Sequence, residues 1–254
     1  MRSVFGTSLK DWRNQRRMSQ LDLGLSANVS ARHISFLETG RSTPSRQMVH
    51  QLCDVLEVPP AERNTIYNAA GFAPAYRRRA LTDEDMAPVK EAVDWVLERH
   101  NPYPAFAVDR HWRLVKSNQS AGFMLHSAGI SEGDSLLQLM QDKETMIATF
   151  ENWEEVAEHM IARLRTESVH LGGDVVLDAA SAKLVEMLGG RTNTQQGELQ
   201  AFVPARYRAG ETVFSFVTTI AQFGTANDIA LSELKIEMMF PVDETTRAAL
   251  MAMG

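Results

Sequence analysis

Residues 19–45 read SQLDLGLSANVSARHISFLETGRSTPS, and this stretch decides the fold of the first third of the chain. Ser19 stands where a helix N-cap belongs, and Asp22 three positions on completes a capping-box-like pair. Leu21, Leu23, Leu25 and Ala27 give that helix its apolar content. Asn28-Val29-Ser30 is short and polar enough to turn the chain, and Ser30 is placed to cap a second helix. There Ile34 and Leu37 lie three apart and point inward, leaving Ala31, Arg32, Ser35 and Phe36 on another face. Gly40 suits a left-handed helix stop. Arg41-Ser42-Thr43-Pro44-Ser45 is a loop of donors suited to phosphate oxygens. Two short helices on a tight turn, followed by a polar loop, form the layout that lays a second helix in the DNA major groove.

The pattern continues outward from this core. Ser45 is placed to cap a further helix whose apolar positions are Met48, Val49, Leu52, Cys53 and Leu56. Pro60 suits the first turn of a fifth helix, which runs to Ala69-Ala70 and ends at Gly71. In Phe72-Ala73-Pro74-Ala75-Tyr76-Arg77-Arg78-Arg79, Pro74 disfavours further helix, and the arginine run reads as a hinge, a backbone contact to DNA, an interdomain contact or a solvated cluster.

Charge divides the chain at the same place. Through Arg79 there are 12 basic and 6 acidic residues, a net of +6; the remaining 14 basic and 26 acidic residues give −12. A basic first domain suits a polyanion, and the acidic remainder should face away from it. The overall −6 hides this split. A chain of 254 residues is long enough for two ordinary domains. The expected division is 1–73 as the DNA-binding domain, 74–84 as linker and 85–254 as the second domain.

The segment from about Ser8 to Phe72 resembles the DNA-binding domain of the XRE family, the five-helix lambda-repressor and Cro type. The matching residues are Gln20, Leu23, Val29, Ile34 and the run Leu37-Glu38-x-Gly40-Arg41. The resemblance implies that Arg13 and Glu38 form an ion pair tying the first helix to the recognition helix. It implies that Gln20 bonds a phosphate and that Ala31, Arg32 and Ser35 face base edges. Ser30, His33, Arg41, Thr43 and Ser45 complete the expected DNA-contacting set. Phe36 departs from the polar residue often found at its position; it packs either on a thymine methyl or against the protein.

Beyond residue 85 the period changes twice. Met86–His100 reads as a helix, with Val89, Val93, Val96 and Leu97 on one side. Two strand-like runs, 105–108 and 112–115, joined by Asp109-Arg110-His111, signal a hairpin. Helix returns at 118–125, with short turns at 135–140 and 145–150. Trp153, Val156, Ala157, Met160, Ile161 and Leu164 mark an amphipathic helix. Another helix spans 175–188, stopped by Gly189-Gly190, and a polar loop covers 191–198. Residues 202–207, 212–223 and 229–240 read as strands. In the last of these, Leu234, Ile236, Met238 and Phe240 alternate with Glu233, Lys235 and Glu237, so the apolar set should be buried and the charged set wet. A helix over 243–253 closes the chain. The order predicts an α+β domain with a five-stranded antiparallel sheet and helices on one face.

That order is similar to a PAS domain, with Val108-Asp109 … Trp112-x-Leu-Val115-x-x-Asn118 matching its opening strand pair and Asn-initiated helix. From end to end the chain also resembles the MmyB-like transcription regulators. The landmarks are the run Arg32 to Glu38, Ala69-Ala70-Gly71-Phe72-Ala73-Pro74, Pro102-x-Pro104-Ala105, Asn152-Trp153, Phe223-Gly224-Thr225 and Phe240-Pro241. The segment 167–200 lacks such landmarks. The resemblance implies a PAS-like ligand-binding domain with fatty-acid-like ligands.

Phe106, Trp112, Leu114, Phe123, Phe202, Phe216, Met238 and Phe240 are the candidate lining of one apolar interior, as pocket or as filled core. Arg206, Arg208 and His126 are candidate carboxylate anchors. No two histidines have metal-ligand spacing with a third partner, and no GxSxG, P-loop or dinucleotide fingerprint occurs, so neither a cofactor nor catalysis is expected. The single Cys53 fits a small core residue. No run approaches 18 apolar residues and the N-terminus lacks a signal-peptide core, so a cytoplasmic protein is expected. The expected partners are double-stranded DNA with a palindromic operator, a small apolar ligand and a second copy of the chain. The competing expectation makes the second domain a ligand-free dimerisation module.

Overall fold

A computed structural model describes residues 3–190, 202–224 and 227–253. The chain divides into two compact units. One comprises Met1–Arg78, Ser168–Asp174 and Thr225–Ser232; the other comprises Arg79–Glu167, Val175–Gly224 and Glu233–Gly254. The polar loop expected at 191–198 lies outside the described residues.

The first unit is built from α1 (Val4–Gln15), α2 (Gln20–Ser26), α3 (Ala31–Thr39), α4 (Arg46–Val55) and α5 (Pro60–Ala69). Serine caps set four of these starts. Ser3, Ser19, Ser30 and Ser45 accept hydrogen bonds from the N–H groups of Gly6, Asp22, His33 and Met48, and Asp22 returns a bond to the Ser19 N–H. Pro60 opens α5 at a position where its missing N–H costs nothing. Phe5, Leu9, Trp12, Leu23, Ile34, Leu37, Val49, Leu52 and Ile66 fill the core. Leu21 and Leu25, expected to add apolar content to α2, point to solvent; only Leu23 and Ala27 of that set are buried. Cys53 is core, and burial pushes its thiol up to about 12.

The chain stays with this unit beyond Pro74. The Asn64 side chain accepts from the N–H groups of Ala75 and Tyr76 and donates to the Tyr76 carbonyl, while Arg46 reaches the Ala73 carbonyl. These bonds hold the first residues of the expected linker on α5.

The second unit carries one antiparallel sheet in the order β2-β1-β5-β4-β3. Its strands are β1 (Ala105–Val108), β2 (Leu114–Ser117), β3 (Ala205–Ala209), β4 (Thr212–Gln222) and β5 (Lys235–Pro241). Its helices are α6 (Ala87–Arg99), α7 (Gln119–Ser127), α8 (Lys143–Thr149), α9 (Trp153–His170, which ends in the first unit's segment), α10 (Val175–Met187) and α12 (Glu244–Met253). Asn118 is the buried pivot of the strand–helix junction. Its Oδ1 accepts from the Ala105 and Ala121 N–H groups, and its Nδ2 donates to the Leu97 and Tyr103 carbonyls. A buried amide with every group satisfied fixes α7 against β1.

Two expectations need correction here. Residues 229–233 form a short helix, α11 (Ile229–Glu233), because the Asp228 carboxylate accepts from the N–H groups of Ala230 and Leu231 and turns the chain before the strand begins. The wet and dry faces of β5 are also not as the alternation implied. Glu233, Lys235 and Glu237 are buried, while Phe240 is 38% exposed. Up to Met239 both faces of β5 are covered. On one, α6 packs Val93 and Leu97 against Ala105, Ala107 and Ile236. On the other, charged side chains are paired with one another.

Candidate nucleic-acid interface and ligand pocket

The recognition geometry starts from the helix period. In α3 the buried residues are Ile34, Leu37 and Glu38, so Arg32, Phe36 and Thr39 lie on the opposite side, with Ser35 beside them. Ala31 and His33 flank that stripe and are half-buried. The turn before α3 is closed by the Val29 N–H donating to the Gly24 carbonyl at 2.7 Å, with Asn28 in the left-handed region. A Cβ on Gly24 would stand 2.6 Å from the Val29 carbonyl oxygen, so glycine alone allows this approach.

Glu38 is the hub that ties α3 to its neighbours. It accepts from Arg13 Nε at 2.6 Å, Arg13 Nη2 at 3.1 Å and Gln20 Nε2 at 2.8 Å. Arg13 Nη1 donates to the Met18 carbonyl at 2.7 Å. The pair therefore binds α1 to α3, and Gln20 brings in the start of α2. The Gln20 amide expected on a phosphate is turned toward Glu38. Ser30 and Ser45 use their oxygens as caps, which leaves their hydroxyl hydrogens to donate outward. Arg32, Arg41, Thr43 and Ser45 are exposed.

The second site is a cavity of about 920 Å³ in the second unit. It lies between α7 and the sheet face carrying Phe106, Tyr207, Phe214 and Met239. Leu136, Met140, Phe150 and Leu250 also line it, and Asn101, Gln119, Ser120, Thr149 and Arg208 supply polar groups. Burial, with Glu237 second, holds the Tyr207 phenol above its ordinary range. Volume and lining match the usual run of small-molecule sites, which are mostly apolar with a few polar groups.

Of the eight residues expected to line this interior, Phe106 and Phe123 do so, Phe123 while 66% exposed. Phe216 is fully buried, one ring behind Tyr207 at 6.0 Å. Leu114 is buried away from the cavity lining. Met238 and Phe240 lie on the other sheet face, Met238 against the α6 cluster and Phe240 edge-on to His100. Phe202 is 51% exposed and precedes β3. Of the candidate anchors only Arg208 lines the cavity.

Trp112 belongs to a charged network instead. The Arg163 guanidinium lies 4.2 Å and the Lys235 ammonium 4.6 Å from its ring centroid, and its Nε1 donates to Glu167 at 3.1 Å. Arg163 donates to Glu167 and Glu237, and Lys235 to Glu167 at 2.7 Å. Burial lowers the Lys235 ammonium below the ordinary lysine range. Sequence reasoning missed this network because no residue in it is near another in sequence except Arg163 with Glu167 and Lys235 with Glu237.

Among the described residues no cluster of His, Cys, Asp and Glu has the geometry to hold a metal ion, and no helix is long and apolar enough to cross a membrane. Among curated proteins none matches the chain. Two family models do. Residues 4–66 match a helix-turn-helix domain, and residues 89–253 match the MmyB-like transcription regulator ligand binding domain. The second match covers more than half of the chain, with the five-stranded sheet and its cavity inside it. The chain belongs to the MmyB-like transcription regulators, a DNA-binding helix-turn-helix joined to that family's ligand-binding domain.

Proposed function

We propose that this regulator binds a palindromic operator as a homodimer and responds to a small apolar molecule of the fatty-acid type. The observation that carries the reading is the mostly apolar cavity of about 920 Å³ with a few polar groups in its lining, in a chain whose other unit is a basic helix-turn-helix. Two copies of α3 would occupy half-sites about one helical turn apart. The second units would dimerise, with residues 74–84 as the connecting segment. The ligand acts on DNA binding only through a difference in affinity for two arrangements of the dimer. The acidic second domain suits a position away from the phosphates, in keeping with a cytoplasmic DNA-binding protein.

Native mass spectrometry of protein purified without added lipid tests the ligand half. The expected result is a co-purifying acyl molecule, and a melting temperature that rises with fatty acid as about 2.7 kcal/mol of binding energy at a hundredfold excess over Kd requires. A clean apo mass, with no thermal shift across a fatty-acid panel, would make the second unit a ligand-free dimerisation module. Mobility-shift titration on the protein's own promoter region tests the DNA half. Arg32→Ala is expected to weaken operator binding by about 1–3 kcal/mol and to relax selection at one base pair. A uniform loss over all sequences would place Arg32 on the backbone.

A further inference from the structure

The outward stripe of α3 centres on an aromatic ring, that of Phe36. Two guanidinium groups lie over it. Arg32, one helical turn back, has its guanidinium carbon 5.2 Å from the Phe36 centroid, and Arg41 has its own at 5.9 Å. Arg41 is brought there by the end of the helix. Gly40 takes φ +74°, the Gly40 N–H donates to the Leu37 carbonyl, and the Arg41 N–H donates to the Phe36 carbonyl at 2.8 Å. This is a Schellman stop, in which the residue after the glycine folds back on the residue three positions inside the helix end. That contact is commonly apolar; here it is a cation on a ring.

We propose that Phe36 is a positioning residue: its ring holds Arg32 of the recognition helix and Arg41 of the following loop in one orientation for DNA, without contacting a base itself. Neither guanidinium has a carboxylate or hydrogen-bond partner among the described residues, so the ring is what orders them. Two cations sharing one ring repel each other, and an anionic partner relieves that repulsion. A preordered pair also loses less side-chain freedom on binding. Each cation–ring contact at an exposed site corresponds to a factor of about two to five in affinity, so loss of both amounts to about fivefold to thirtyfold.

This inference rests on the DNA-binding reading, and the experiment separates the two. A duplex is first recovered by the wild-type protein from a random pool. F36L keeps an apolar contact at the helix stop but removes the ring, and F36Y keeps the ring. The expected result is that F36L binds the selected duplex about five- to thirtyfold more weakly, that F36Y stays within about twofold, and that both melt near the wild-type temperature. Replacing thymine by uracil in the duplex should leave wild-type binding unchanged. In the free protein the side-chain methylene protons of Arg32 and Arg41 should show upfield ring-current shifts in wild type and F36Y, absent in F36L. Unchanged binding by F36L, equal losses in F36L and F36Y, or sensitivity to the thymine methyl would each overturn the proposal. Failure of the wild type to select any duplex while the ring-current shifts are present would overturn the DNA-binding reading instead.

Discussion

Arg13→Ala is expected to cost the first unit about 3–5 kcal/mol, the range for removing one partner of a buried ion pair. The Glu38 side chain is 3% exposed and that of Arg13 10%. Without the guanidinium, Glu38 keeps only the Gln20 amide as partner among the described residues, and its charge remains out of water. The Met18 carbonyl loses its donor at the same time. Because Glu38 lies in α3, operator affinity should fall with stability. Urea unfolding of the full chain measures the effect; a loss under about 1 kcal/mol would show that the pair only offsets its own desolvation. The double replacement of Arg13 and Glu38 by apolar residues of similar size is expected to cost less than Arg13→Ala alone, because no charge is stranded.

Glu237→Ala is expected to cost the second unit a similar 3–5 kcal/mol. The Glu237 side chain is 3% exposed, on the sheet face opposite α6, and it receives both terminal nitrogens of Arg163. Its removal leaves Glu167 as the one carboxylate, among the described residues, serving Arg163, Lys235 and the Trp112 indole. Two cations against one ring then share that counter-charge. The Tyr207 phenol should move down toward its ordinary range, since Glu237 contributes to its elevation. Urea unfolding gives the stability loss and a spectroscopic phenol titration gives the second effect. A variant as stable as wild type would mean that this network is not worth more than its desolvation cost.

The helical first unit was legible almost residue by residue because its determinants are local. Serine caps, the Asp22 return bond, the Gly40 stop and Pro60 act within one turn of the chain, and each is found where the sequence places it. The outward side of α3 follows from burial of Ile34 and Leu37 at helical spacing. What could not be read was the use made of that side. Phe36 was open between a base and the protein, and only the fold of the Gly40 stop brings Arg41 over its ring.

The pocket was less legible, for a reason that lies in β5. An alternating strand separates two sets of side chains but does not say which set faces which layer. Ile236, Met238 and Phe240 are the more apolar set, yet they face α6 and solvent; Lys235, Glu237 and Met239 face the interior. The usual inference from polarity fails here because Lys235 and Glu237 find buried partners in Glu167 and Arg163, from an element some 70 residues earlier. With the register reversed, the expected lining shifts from Met238 and Phe240 to Met239, and Trp112 moves from pocket wall to the centre of an ion network.

The sequence by itself determined what short-range chemistry controls: the helix-turn-helix with its caps and stop, the charge division near Arg79, the sheet hairpin and the Asn118-initiated helix. The tertiary structure decided what depends on distant partners: which face of β5 is inner and which aromatics meet around the cavity. A cap or a helix period is satisfied within one turn of the chain. A buried charge is tolerable only when its counter-charge arrives, and that arrival is a property of the whole fold.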